Sequence, residues 1–168
     1  VQLTLDRRLI SVRPVTEAVT YTATSRPRTV THEPLSVLGR RYSLELPPNQ
    51  NPRTLALATR LQAGAPDTAS YARAVLDYFV QKGFEYTLTP PKLTGNAVDE
   101  FLFSTRRGFC GHYASAFATL MRAGGVPARV VTGYLGGEWN PVGRYFLVRQ
   151  SDAHAWVEIW LEQRGWVR

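Results

Sequence analysis

Arg106-Arg107-Gly108-Phe109-Cys110-Gly111-His112-Tyr113-Ala114-Ser115-Ala116-Phe117 holds the one cysteine of this chain, and the cysteine stands where a helix begins. From Cys110 to about Ala123 the spacing is helical: Cys110, Ala114, Phe117, Ala118 and Met121 fall on one face, His112, Ser115, Thr119 and Arg122 on the other, and Gly124-Gly125 ends the run. A free cysteine on a buried face is often only a small hydrophobe. At a helix start its position gives it chemistry, because the thiolate is the nucleophile and the unpaired N–H groups and dipole there favour an anion. The same N–H groups suit the oxyanion of a tetrahedral intermediate.

A nucleophilic thiol needs a base close in space. The chain has three histidines, His32, His112 and His154. His112 lies two residues along the helix from Cys110, a rotation of about 200° that turns its ring away from the thiol. His32, among Thr31, Glu33 and Pro34, reads as a surface loop residue. His154 lies in Asp152-Ala153-His154-Ala155-Trp156-Val157-Glu158, on an expected strand from Ala153 to Leu161 where His154, Trp156, Glu158 and Trp160 share a side. Its small neighbours leave room for the helix start to approach. A hydrogen-bonded structural histidine is the plainer alternative. Of the acids on its own strand face, Asp152 is ~7 Å and Glu158 ~13 Å away at about 3.3 Å per residue. Glu158 is out of reach, and Asp152 is a weak stand-in that needs a twist or bulge. An acid on the neighbouring strand is better placed to orient the imidazole.

Outward from this pair the chain reads as α+β. Residues 1–50 are expected to be β-rich, with strands at Val1–Leu5, Val19–Thr24 and Tyr42–Leu46, and Pro47-Pro48-Asn49-Gln50-Asn51-Pro52 marks a boundary. Asn51-Pro52 reads as an N-cap followed by proline at the first helical position. Helices are expected from Pro52 to about Gln62 and from about Asp67 to Lys82, a short strand at Phe84–Leu88, and a helical turn at Val98–Phe103. Strands follow at Ala128–Tyr134, Tyr145–Arg149 and Ala153–Leu161, and another begins at Gly165-Trp166-Val167-Arg168.

Length, charge and composition narrow the classes. The 168 residues suit one domain, and 44% apolar content suits a folded core. A single cysteine excludes an intramolecular disulfide framework. Eighteen arginines and two lysines give a net charge of +7, but they are scattered, with doublets only at Arg7-Arg8, Arg40-Arg41 and Arg106-Arg107. That is not the clustered, aromatic-interleaved pattern of a nucleic-acid binder. Carboxylates are sparse and one cysteine with scattered histidines makes no zinc set, so neither a metal nor a cofactor is expected. No apolar run approaches the roughly 18–20 residues of a spanning helix. The chain reads as an excised piece of a longer protein.

The run Asp99–Phe117, the strand Gly125-Val126-Pro127-Ala128-Arg129-Val130-Val131-Thr132-Gly133-Tyr134, and the run Asp152–Glu158 together resemble the bacterial transglutaminase-like superfamily. More narrowly they are similar to the extracytoplasmic domain of inner-membrane transglutaminase-like proteins of the TgpA group. The likeness covers about Asn51 to Arg168. It implies a papain-like transglutaminase core over residues 51–168, truncated on its C-terminal side, with Cys110 as nucleophile and His154 as base. It implies a third triad acid just beyond the Gly165–Arg168 strand, past the C-terminus of this chain. It further implies a periplasmic location, a membrane-anchored parent for which residues 1–50 form the link, and substrates that are proteins with exposed glutamine plus an amine acceptor. For the oxyanion-side donor of the family there is no clear match, Tyr86 being the nearest guess.

The expected chemistry is acyl transfer from a glutamine carboxamide through a thioester. A cysteine peptidase or amidase uses the same pair with water as acceptor, and a non-catalytic binding module on the same fold is the reading from another class.

Overall fold

Among the described N-terminal residues one small ladder forms. A computed structural model describes residues 2–3, 9–22, 24 and 34–168, which fall into two units, Val1–Thr31 and His32–Arg168. In the first, strand β1 (Gln2–Leu3) pairs antiparallel with β2 (Leu9–Ile10). Residues 11–22 and 24 form no strand, so the one expected at 19–24 is absent there. Val1, Thr4, Leu5, Ala23 and the whole of Thr31-His32-Glu33 lie outside the described residues.

The second unit opens with a helix where the sequence reads as β. Helix α1 spans Val37–Leu44, so the strand expected at Tyr42–Leu46 and the β-rich reading of residues 1–50 do not hold there. Three alternating apolar residues are too short a pattern to choose between periods. Local and tertiary bonds decide: Ser36 Oγ accepts from the Gly39 N–H at 3.1 Å, and Arg40 pairs with Glu162 at 3.1 Å. Arg122 holds the helix exit by donating to the Glu45 carbonyl at 2.9 Å.

Helices α2 (Pro52–Ala63) and α3 (Thr68–Gln81) stand where their apolar spacing puts them, and Asp67 caps α3 through the Ser70 N–H. The cap of α2 is not the expected one. Asn51 has a left-handed backbone and no capping bond to its own helix; its Oδ1 accepts from the N–H groups of Val98 and Asp99 in α4 (Ala97–Glu100). Asp99 returns the favour, accepting from the N–H groups of Arg53 and Thr54 and from the Thr54 hydroxyl. Two helix starts thus cap each other across 45 or more residues of chain, which spacing within one segment does not reveal.

Beyond α4 a single π-helical turn, Phe101–Thr105, delivers the chain to β4 (Arg107–Gly108), which pairs in parallel with β3 (Glu85–Tyr86). Helix α5 then runs Cys110–Ala123. It is buried on more than one face, Ala114, Ala116, Ala118, Leu120 and Met121 all being inaccessible, because it lies between α2, α3 and α4 on one side and the sheet on the other. Tyr71, Phe101, Leu102, Leu120 and Met121 are the largest fully buried side chains around it. Each large apolar one contributes about 1.5–3 kcal/mol. The sheet is antiparallel, in the order β5 (Ala128–Tyr134), β8 (Ala153–Leu161), β9 (Gly165–Val167). Between β5 and β8 a separate hairpin, β6 (Glu138–Asn140) and β7 (Tyr145–Leu147), projects from the sheet.

Candidate active site

The site is assembled by three consecutive passes of the chain. Helix α5 packs on both β5 and β8, which pair antiparallel with each other. Cys110 is the first residue of α5 and His154 the second residue of β8. Cys110 is a free, half-buried thiol, and His154 is half-buried opposite Gly133 of β5. No hydrogen bond joins the two in this structure.

The geometry around Cys110 is fixed from below and behind. Glu85 and Thr87 donate their N–H groups to the carbonyls of Arg106 and Gly108, both at 2.8 Å, which pins the approach strand. Arg106 turns it with a left-handed backbone, φ 50°. Gly108 has to be glycine: a Cβ there would stand 2.7 Å from Cβ and Cγ of His112 and 3.0 Å from the Phe101 ring. Below, the Tyr113 ring sits 5.1–6.2 Å from those of Phe79, Phe84, Tyr86 and Phe101. Burial is the main cause that pushes the Tyr113 hydroxyl above its usual pKa, helped by Glu85 and Tyr86, so this phenol is neutral.

At the helix start, Phe109 offers no side-chain acceptor. The N–H groups of His112 and Tyr113 bond to its carbonyl at 2.9 and 3.4 Å, while those of Cys110 and Gly111 have no partner among the described residues. Two free donors flank the thiol, which is the arrangement an oxyanion requires. His112 is occupied otherwise. Its Nδ1 accepts from the Phe109 N–H at 3.3 Å, and its ring lies edge-on to Phe109, 4.4 Å between centroids.

On the sheet side, the Trp156 ring lies over Gly133, where a Cβ would come within 3.0 Å of it. Glu158, too far along the strand to reach His154, is held by Arg129 at 2.6 and 2.8 Å and accepts from Trp156 Nε1 at 3.5 Å. Arg129 in turn covers Trp166, and Arg168 covers Trp156. Asp152 ends a 3₁₀ turn, Gln150–Asp152, and its carboxylate accepts from the Arg149 N–H at 2.8 Å. That bond closes its own turn, and no hydrogen bond links it to His154. Strand β9 pairs with β8 so that successive residues move from Leu161 towards Ile159, the direction that leads to the His154 end. Among the described residues no three His, Cys, Asp or Glu side chains gather as a metal-binding group. No described helix is long and apolar enough to cross a membrane.

A cysteine at the head of a buried helix, packed on an antiparallel sheet that carries a histidine, defines the papain-like α+β fold. A crystal structure of a putative cysteine protease from Cytophaga hutchinsonii shares this fold, with a TM-score of 0.54 at 24% identity over 76% of this chain and 39% of that one. Residues 55–168 match the model of the transglutaminase-like superfamily, and the chain belongs to that family. It is 44% identical to the protein-glutamine gamma-glutamyltransferase of Pseudomonas aeruginosa over 99% of its own length and 25% of that protein's. It is 36% identical to the uncharacterized protein YebA of Bacillus subtilis over 74% of its length and 18% of YebA. The periplasmic domain of TgpA from Pseudomonas aeruginosa, solved alone and bound to ethylmercury, matches with a TM-score of 0.76 and 49% identity over 79% of this chain. This chain spans under half of those solved chains and about a quarter of the curated transferase.

Strand β7 lies within the stretch expected at Tyr145–Arg149, whereas β6 and the π-helical turn ahead of β4 escape a reading of the sequence alone. A signal for the hairpin exists in Asn140-Pro141-Val142-Gly143, whose Asn140 Oδ1 accepts from the N–H groups of Val142 and Gly143.

Proposed function

We propose that this chain is the catalytic core of a thiol-dependent acyltransferase acting on glutamine carboxamides. Cys110 Sγ attacks the carboxamide carbon, the N–H groups of Cys110 and Gly111 hold the oxyanion, and His154 delivers the thiol's proton to the departing ammonia. The resulting thioester is resolved by a lysine amine, which forms a cross-link, or by water, which leaves a glutamate. The acid that orients His154 is supplied by the parent protein on the strand that continues β9. The parent holds this domain outside the cytoplasm, anchored to the inner membrane, where its partners are proteins with exposed glutamines.

What supports this reading is a cysteine at the first position of α5 and a histidine at the second position of β8, the strand on which α5 packs, in a chain 44% identical to a protein-glutamine gamma-glutamyltransferase. The test is mass spectrometry of a glutamine-bearing protein incubated with the parent protein and a primary amine. Amine incorporation with loss of ammonia, abolished by Cys110→Ala, is expected. Incorporation that persists in Cys110→Ala refutes it, new chain termini establish a peptidase instead, and a biological effect that survives Cys110→Ser establishes a binding module.

A further inference from the structure

The hairpin between β5 and β8 is an apolar surface that the fold itself does not use. Trp139 is 50% exposed, Phe146 66% and Val142 93%, and Tyr145, Leu147 and Val148 are exposed with them. None of these side chains belongs to the hydrophobic core. Trp139 and Phe146 are register partners, their rings 5.1 Å apart, and Val148 follows on the same face. An isolated two-stranded hairpin is marginal in water, and clustered apolar exposure marks an interaction surface.

Its shape is nevertheless well specified. Asn140 closes the tip, with the Arg144 N–H on its carbonyl at 2.8 Å and a left-handed Arg144 completing the turn. At the base Leu135 donates to the Asp152 carbonyl at 2.9 Å, and Arg149 pairs with Glu138 at 2.7 Å. The base is thus two residues from His154. Because Tyr134, the last residue of β5, pairs with Ala153, the first of β8, the hairpin rises from the end of the sheet that carries His154.

Among the described residues strands β6 and β7 pair only with each other, which leaves each one open edge of backbone N–H and C=O groups. An extended polypeptide satisfies such an edge while its side chains cover apolar neighbours. Lipid does neither for the backbone groups, and it penalises the charges of Glu138 and Arg149 at the base.

We propose that the β6–β7 hairpin is the docking platform for the acyl-donor polypeptide, an extended segment with apolar residues on both sides of the reacting glutamine. The proposal rests on the acyl-transfer reading above. Fluorescence anisotropy tests it with two labelled peptides, Gly-Leu-Val-Gln-Val-Leu-Gly and Gly-Ser-Ser-Gln-Ser-Ser-Gly, on Cys110→Ala protein, where no turnover occurs. The apolar peptide is expected to bind at least about tenfold more tightly, and Trp139→Ser with Phe146→Ser to remove that preference with an unchanged Tm. Val142→Ser, at the most exposed position, provides a variant that cannot disturb the core and is expected to weaken the preference in the same direction. A preference that survives these variants, or none in the protein without them, overturns the proposal. So does hairpin-dependent binding to vesicles of phosphatidylethanolamine and phosphatidylglycerol without peptide binding. Hairpin-dependent peptide binding by a parent protein whose unsubstituted Cys110 form transfers no amine refutes the transfer reading and leaves the docking surface standing.

Discussion

Replacing Asp99 by alanine removes more than one bond at once. Its carboxylate is 6% exposed and accepts from the Arg53 N–H at 3.0 Å, the Thr54 N–H at 2.7 Å and the Thr54 hydroxyl at 2.5 Å, and Thr54 is fully buried. Alanine leaves two helix-start amides and a buried hydroxyl without an acceptor. A lost cap costs about 1 kcal/mol and an unsatisfied buried donor about 1–3 kcal/mol. The structure therefore predicts a loss of about 3–5 kcal/mol, a large share of the 5–15 kcal/mol of an ordinary domain. Asp99→Asn keeps one oxygen for Thr54 but turns an N–H₂ group towards Arg53, for a predicted loss of about 1–2 kcal/mol. Because Asn51 caps α4 in exchange, the effects of Asn51→Ala and Asp99→Ala should fall short of additive. Urea unfolding followed by circular dichroism measures all three. A loss below about 1 kcal/mol in Asp99→Ala, or strict additivity with Asn51→Ala, refutes the reciprocal cap.

Three further outcomes follow from the same geometry. Gly108→Ala drives a methyl into the Cβ of His112, which is fixed to the helix backbone, and should cost about 1–3 kcal/mol and slow alkylation of Cys110; an unchanged urea midpoint contradicts it. Tyr71, 2% exposed with its hydroxyl bonded to the Leu120 carbonyl, has its pKa pushed up to about 12 by burial. The folded state then holds a proton that the unfolded state loses above pH 10, so roughly 2–3 kcal/mol of stability should disappear between pH 10 and 12, and less in Tyr71→Phe, by urea titration at each pH. Ethylmercury, an organomercurial with affinity for thiols, should bind one equivalent by mass spectrometry, and none in Cys110→Ser, since Cys110 is the sole cysteine.

The elements that make the site are those whose local signals agree with their packing. The helix starting at Cys110 carries a helical period along its whole length and a glycine stop. Strands β5 and β8 carry β-branched residues and alternation, so the position of Cys110 at a helix start and of His154 on a strand was legible from residues alone. His112 was set aside by rotation along the helix, and the structure gives it a different task at the Phe109 N–H. What stayed illegible depends on distant partners. Helix α1 is held by Arg122 and Glu162, and α2 is capped by Asp99, none of them local to the segments they fix. Strand β7 lies in the stretch read as β, but its partner β6 is three mostly exposed residues, too short for alternation to be recognised.

The pairing of Cys110 with His154 is tested most directly by the rate at which iodoacetamide alkylates Cys110 at pH 7, in the unsubstituted protein and in His154→Ala. The account predicts a rate at least about tenfold lower without the imidazole, because thiol reactivity follows thiolate character and His154 is the base that maintains it. Equal rates in the two proteins would contradict it.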